Sequence, residues 1–372
     1  MTSHVDTRVK RKNTPGEHEH FCSQKNSPTP QINLILLNMT MNLNNDKIEI
    51  KTITFEHLES FFLNKDFDLD WNCLFVFPLW LKTWWEIFGE DDGLEILTGF
   101  RRGKLIGIAP LHIQKETAHF IGGENVCDYQ DMIVAPNHPP EFLKAILDHL
   151  KEKKIRTLEL APLRPEAVAF IELPNLAKQL GYAVLCNQVA YSCEIKLPGT
   201  WETYLKMLGG KQRHEIRRKL RRLNEAGHID YRAIDRPDEI SENMDIFFSM
   251  FKASRTDKFE FMTEQMMSFF RLLAERMAQQ GFLKMFFLSI DQVPAASVMC
   301  FDYKDTRYLY NNGYNPQFSR LSPGFLSKVL SIRDGIEHGK LRYDLLKGEE
   351  RYKKRLGSSP IPLYHLKIDF EK

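Results

Sequence analysis

The residues best able to do chemistry lie in two polar interruptions of apolar segments near the C-terminal end. The first is Tyr310-Asn311-Asn312-Gly313-Tyr314-Asn315-Pro316, followed by Ser319-Arg320-Leu321-Ser322-Pro323-Gly324. A strand ends, a polar loop follows and a helix opens. Ser322 suits the helix cap, and Pro323 suits the first helical position, where no N–H is needed. Gly324 lets a ligand approach the backbone closely. Free N–H groups at such a helix start form an anion site whose natural guest is a pyrophosphate, and Arg320 would add a charge-assisted contact. A capped helix without a ligand explains the same residues equally well.

The second interruption is Tyr343-Asp344-Leu345-Leu346-Lys347-Gly348-Glu349-Glu350-Arg351-Tyr352-Lys353. Asp344 stands in an otherwise apolar strand, where a lone carboxylate is costly and needs a partner or a role. The charged turn Lys347 to Glu350 and the short basic helix from Tyr352 to Leu356 follow. A solvated surface accounts for Glu349, Arg351 and Lys354. Asp344, Lys347, Tyr352 and Lys353 are harder to dismiss as a group.

Periodicity supplies the elements that must carry these residues. Ile48 to Ile53 alternates as a strand, Trp80 to Phe88 reads as a helix closed by Gly89, and Leu94–Phe100 with Leu105–Ile113 reads as a hairpin. Pro140 to Lys153 has helical spacing, and Thr157 to Leu160 is a short buried strand. The second half repeats the order: a helix over Phe269–Gln280, strands over Phe282–Ile290, Ala295–Phe301 and Arg307–Tyr314, a helix over Pro323–His338, and a strand over Leu341–Leu346. This repetition points to an internal duplication. Between the halves, Trp201 to Arg222 is helical after a Thr200 cap and breaks at Gly209-Gly210. The expected class is α/β (α+β): two similar domains with mixed, mainly antiparallel sheets flanked by helices. The expected division is a disordered tail over 1–47 (with Met39 or Met41 an alternative start), a first domain over 48–197 and a second over 198–372.

The totals narrow the function. A 372-residue chain is long for one core, and 43% apolar residues with 26 Phe, 12 Tyr and 5 Trp can fill two. A formal charge of +2 argues against a protein that coats nucleic acid, so no DNA partner is expected. The six cysteines are scattered, without zinc spacing, which points to a reduced, cytoplasmic protein with no metal. No apolar run reaches the ~20 residues of a membrane span. The basic run Lys211 to Arg222 reads first as a solvated helix face, with nucleic acid or an anionic membrane as the competing reading. Cys127-Asp128 near His119 has the types of a thiol site, but a lone cysteine is more often a small buried residue.

From about Lys211 to Gly357 the chain resembles the GNAT-like acetyltransferase family typified by the bacterial cellulose-biosynthesis protein CelD, and more distantly the Fem aminoacyltransferases, which carry two tandem GNAT-type domains. The resemblance is carried by the basic helix Lys211-Gln212-Arg213 to Gly227, by Ser322-Pro323-Gly324, and by Tyr343 to Lys353, in that order and spacing. Ile121-Gly122-Gly123 with Asp128-Tyr129-Gln130-Asp131 is similar to the family in the first half.

The resemblance implies an acyl-CoA donor, acetyl-CoA by default, and an amine or hydroxyl acceptor such as a small molecule or a saccharide precursor in polysaccharide or cell-envelope biosynthesis. It implies a pantetheine between two splayed strands and a pyrophosphate at Asn315–Phe325. Arg320, Ser322, Pro323, Gly324, Phe325, Lys347 and Lys353 are then donor contacts. Tyr352 is the acid for the departing thiolate, and Asp344 or Glu350 the base. Asp128, Tyr129 and Asp131, with Tyr310, Asn311 and Tyr314, are candidate acceptor contacts. The family signature Arg/Gln-x-x-Gly-x-Gly/Ala appears as Arg320-Leu321-Ser322-Pro323-Gly324-Phe325, and its proline removes one N–H donor. Fem proteins also depart there and use aminoacyl-tRNA, which makes a tRNA-dependent transferase the alternative, and a non-catalytic scaffold a third reading.

Overall fold

The computed structural model describes residues 46–90 and 93–371. The tail expected over 1–47, Met39 and Met41 included, falls outside these residues up to position 45.

The first half runs β1 (Glu49–Ile53), α1 (Phe55–Leu63), α2 (Pro78–Phe88), β2 (Leu94–Arg101), β3 (Lys104–Gln114), β4 (Thr117–Phe120), β5 (Ile133–Val134), α3 (Pro139–Glu152), β6 (Thr157–Leu163), α4 (Val168–Gln179) and β7 (Ala183–Lys196). After α5 (Trp201–Met207) and α6 (Gly210–Asn224), the second half runs β8 (Ile229–Ile234), α7 (Pro237–Ser254), α8 (Thr256–Phe261), α9 (Glu264–Gln279), β9 (Leu283–Ile290), β10 (Val293–Tyr303), β11 (Thr306–Tyr314), α10 (Pro323–Glu337), β12 (Arg342–Lys347), α11 (Arg351–Arg355) and β13 (Ser359–Asp369). Thr200 caps α5 through its side chain, and the chain breaks before Gly210, as the spacing predicts. Asp291 and Gln292 both take positive φ, the geometry a tight hairpin turn needs to match strand twist.

One sheet joins the described strands in the order β1-β2-β3-β4-β6-β13-β7-β12-β11-β10-β9-β8, with β5 paired to β3 off this path. Its pairings are antiparallel except β4 with β6 and β11 with β12. Each half therefore repeats the same plan: an edge strand, helices, three strands as a meander, a helix, a strand parallel to the third, a helix, and a last strand. The fold is two tandem GNAT-like units with mixed, mainly antiparallel strands flanked by helices.

The last strands are exchanged. β7 follows β6 in sequence but pairs with β12, while β13 follows β12 but pairs with β6. Leu366, Ile368 and Phe370 accordingly fill the first half's core, and Cys193 and Ile195 fill the second's. β13 escapes periodicity analysis because Pro360 and Pro362 argue against a central strand. Both prolines lie where β13 pairs only with β7; pairing with β6 starts at Tyr364. They sit on a locally open edge, where a missing N–H costs little. A chain ending at Ser358 would strip two neighbours of a central strand and open the first core. We expect it to lose the cooperative thermal transition of both halves in circular dichroism, whereas a surviving transition would mean that the halves fold without the exchange.

Candidate active site

β11 and β12 pair in parallel at Thr306–Arg342, Arg307–Tyr343 and Tyr308–Asp344, and no further. Beyond that point Leu346 takes a left-handed backbone (φ 62) and β12 rejoins β7 at Lys347–Ser192, while β11 continues along β10 to Tyr314. Opposite Met299 and Cys300 the register of β11 slips, leaving Tyr310 as an extra residue. Such a bulge bends a strand and re-aims its groups. The two strands therefore splay.

The point of divergence is held by charge. Asp344 is fully buried and accepts from Tyr129 Oη (2.6 Å), Arg164 Nη1 (3.1 Å) and the Leu346 N–H (2.7 Å). Arg164 also reaches Glu194 of β7 at 3.1 Å and stacks 4.8 Å over the Tyr129 ring. Burial pushes the Asp344 carboxyl above its ordinary range, against the pull of Arg164 and Tyr129. The carboxylate expected as a base is thus spent on three donors.

A cleft of about 320 Å³ opens at the wide end of the splay, lined by Ser254, Arg255, Lys258, Asn312, Tyr314, Ser319, Ser322–Phe325, Lys328, Glu350 and Tyr352. Of the expected residues it unites Tyr352, Glu350, Ser322, Pro323, Gly324, Phe325 and Tyr314. Tyr352 has no hydrogen-bond partner for its hydroxyl among the described residues, and burial, with Glu350 second, pushes its phenol well above the ordinary range. Ser322 has a left-handed backbone (φ 58), and its hydroxyl accepts from Lys219 of α6. Gly324 is tightly placed: a Cβ there would come within 2.9 Å of the Tyr314 ring.

The helix start is poorer in backbone donors than expected. Pro323 has none, and the Phe325 and Leu326 N–H groups both reach Ser322 O, at 3.1 and 3.0 Å. Cations stand there instead. Lys328 is 5% exposed, donates to Gly324 O at 2.7 Å and sits 4.6 Å over the Tyr352 ring. Burial lowers its ammonium to about 7, and burial lowers that of Lys258 to about 8. Local spacing missed both. The signal for Lys328 was the one that flagged Asp344, a charge among the buried positions Leu326, Val329 and Ile332 of α10.

The remaining expected residues go elsewhere. Lys353 is buried and spends its ammonium on Leu346 O, Lys347 O and Gly348 O, stitching the end of β12 rather than meeting a donor. Lys347 pairs with Glu124 at 3.4 Å. Arg320 offers its carbonyl to Arg222, and neither it nor Asn311 lines the cleft. Tyr310 packs among Trp80, Phe270 and Phe301 and donates to Val126 O. Asp128 faces Lys353 and Lys347, and burial lifts it to about 6. Cys127 is fully buried and its thiol is pushed well up, the opposite of a reactive thiolate.

A second cavity of about 330 Å³ lies between the halves, with Tyr129, Asp131, Arg164, Glu194, Tyr303 and Tyr308 in its wall. Asp131 accepts from the N–H groups of Met132, Val168 and Ala169, so it caps α4 from a distant loop. Burial, opposed by those donors, raises it to about 7. In the first half the gap equivalent to the splay is closed by the chain itself: the Gln130 N–H donates to Pro162 O at 3.0 Å and its amide to Ile121 O at 2.6 Å.

Residues 210–354 match the acetyltransferase (GNAT) domain family. That span contains α6, the splayed strands, the cleft and Tyr352. Among solved structures, one described as FemX aligns over 85% of this chain and 96% of its own, with 13% identity and a TM-score of 0.57. A conserved protein of unknown function from Bacteroides thetaiotaomicron aligns over 87% and 99%, with 12% identity and a TM-score of 0.52. These likenesses establish the shared two-unit fold. No curated protein sequence matches the chain significantly.

Removing Asp344 would strip the buried Tyr129 hydroxyl and the Leu346 N–H of their acceptor and Arg164 of one of its carboxylates, Glu194 and Glu166 remaining, so Asp344→Ala is expected to cost about 3 kcal/mol of stability. Chemical denaturation would measure it. A loss under 1 kcal/mol would return Asp344 to the list of candidate bases.

Proposed function

We propose that the chain transfers an acyl group from an acyl-CoA, acetyl-CoA by default, to an amine or hydroxyl, with the donor in the second half. The observation that carries this reading is the cleft itself. It opens where the parallel strands of a GNAT-family span diverge, and it is lined by both the Ser322–Phe325 helix start and Tyr352.

In this reaction the acceptor nitrogen or oxygen attacks the thioester carbonyl, the C–S bond breaks, and the acceptor's proton must leave as the sulfur gains one. Tyr352 keeps its proton throughout the neutral range and offers its hydroxyl to the departing sulfur. Glu350, on the same cleft, is the carboxylate available to take the acceptor's proton. Strand N–H groups of β11 beyond Tyr308, unpaired toward β12, supply donors for the oxyanion.

The proposed division of labour follows the halves. Residues 198–372 hold the donor. Residues 48–197, whose own splay is filled by the Gln130 loop, hold no donor and contribute Tyr129 and Asp131 to the wall of the cavity that meets the acceptor, whereas Asp128, turned to Lys353 and Lys347, does not line it. The cavity lined by both halves supports a polar acceptor such as a saccharide precursor.

One observation favours the alternative aminoacyl-tRNA donor. The basic helix α6 touches the same helix start, through Lys219 on Ser322 and Arg222 on Arg320 O, and Arg217 and Arg221 remain largely exposed. A polyanion longer than CoA would use that face, with steep salt dependence.

Calorimetry with acetyl-CoA separates the readings. Wild-type protein is expected to bind it, and Gly324→Asp, which forces a side chain into Tyr314, to bind at least tenfold more weakly. Among variants that bind, Tyr352→Phe should lower CoA release over a panel of amines and alcohols about 100-fold with little change in affinity. Absence of binding by any acyl-CoA would sink the CoA reading. Unchanged turnover in Tyr352→Phe would remove that residue from the mechanism.

A further inference from the structure

We propose that Lys328 and Lys258 form a two-ammonium clamp that holds the diphosphate of the donor, replacing the backbone donors that the helix start lacks. The clamp rests on the donor-site reading above and says how that site binds its anion.

A diphosphate carries several acceptor oxygens and is usually met by a row of free N–H groups. Here Pro323 removes one such group, and Phe325 N–H and Leu326 N–H are turned back onto Ser322 O, so that among the described residues the Gly324 N–H is what remains of the row. An anion at this loop therefore needs side-chain donors. Lys328 lies one helical turn beyond Gly324 and lines the cleft. It is more than nine-tenths buried, and among the described residues its ammonium hydrogen-bonds to Gly324 O. Two of its three N–H donors are thus uncommitted. Lys258 lines the same cleft from α8, giving a single N–H to Asn312 O and stacking over the Phe251 ring. Both line the one cleft with Ser322–Phe325, and they are near enough for the charge of Lys258 to act on Lys328.

The surroundings explain why both ammonium groups are ready for an anion. Lys328 faces Lys258 from α8, Glu350 and Lys353 from the α11 side, Cys300 from β10 and the ring of Tyr352. Lys258 faces Arg255, Asp257 and Glu350. Lys353 is committed to three carbonyls and to Glu350 at 3.1 Å. Glu350 is thus a carboxylate shared by Lys328, Lys258 and Lys353, while Asp257 is paired with Arg255. Burial lowers Lys328 to about 7 and Lys258 to about 8, so near pH 7.5 part of the pair is neutral. An arriving anion favours the charged form. Binding therefore takes up protons, and affinity rises as pH falls through 8 toward 7.

The test titrates coenzyme A, and separately inorganic pyrophosphate, into the full chain at pH 7.5. Calorimetry is run in two buffers of different protonation enthalpy, which reads protons taken up. The wild type is expected to bind both probes with net uptake. Lys328→Met and Lys258→Met should each weaken binding about tenfold, the cost of one charge-assisted contact, and lower the uptake. Methionine fills the space without a charge, so Lys328→Met should melt no lower than the wild type. If it fails to fold, Lys258→Met decides by the same two readouts. Unchanged affinity and uptake in the variants, with coenzyme A still bound, would overturn the clamp and leave the donor site intact. Lysine-dependent binding of pyrophosphate without coenzyme A would uphold the clamp and remove the CoA reading. A wild type that binds neither probe overturns both.

Discussion

Asp344 is a carboxylate with no access to water, placed where two parallel strands part. It is tolerable there only because Arg164 and Tyr129, brought from the other half, meet it with two side-chain hydrogen bonds and the Leu346 N–H of its own strand supplies a third. The rest follows from that demand. The halves must be registered against each other closely enough to satisfy a buried charge, β12 must turn at Leu346 to offer its N–H, and the strands must diverge there. Lys353 then ties off the three carbonyls this turn releases. A cleft at the wide end is what remains.

The exchange of β7 and β13 performs the registration on a larger scale. Each half contributes a strand to the core of the other, so neither sheet is completed without its neighbour. Aromatic packing of Phe75 and Trp80 on Tyr310 and Phe301 adds a second seam. A shared core costs independence but gives a rigid frame, which a bimolecular transfer needs if donor and acceptor are to meet within a bond length. The two copies have also diverged in use. The loop before α3 closes its own splay with Gln130, whereas the loop before α10 leaves its splay open.

At the open splay, proline and lysine trade places with glycine and backbone. Pro323 starts α10 firmly but gives no donor, and the left-handed Ser322 turns its carbonyl onto the next N–H groups. The positive charge lost from the backbone returns on the side chains of Lys328 and Lys258. Unlike an amide, an amine of lowered proton affinity can be neutral or charged, which links anion binding to pH.

Much of the architecture was legible in the residues themselves. Alternation marked β9, β10 and β11, glycine and proline punctuated α2 and α10, and the repeated order of elements disclosed two similar units. Ser322-Pro323-Gly324 and Tyr352 declared a helix start and a nearby phenol, and these do line one cleft. Those are local properties, set within a few residues by backbone sterics and by burial period. Asp344 declared only that it needed a partner. That the partner is Arg164, 180 residues away, that Lys353 is structural while Lys328 faces the cleft, and that the proline-bearing last strand lies inside the sheet are outcomes of long-range packing. No local period encodes which distant charge shares a dry pocket, because that choice is made by the whole fold when it excludes water.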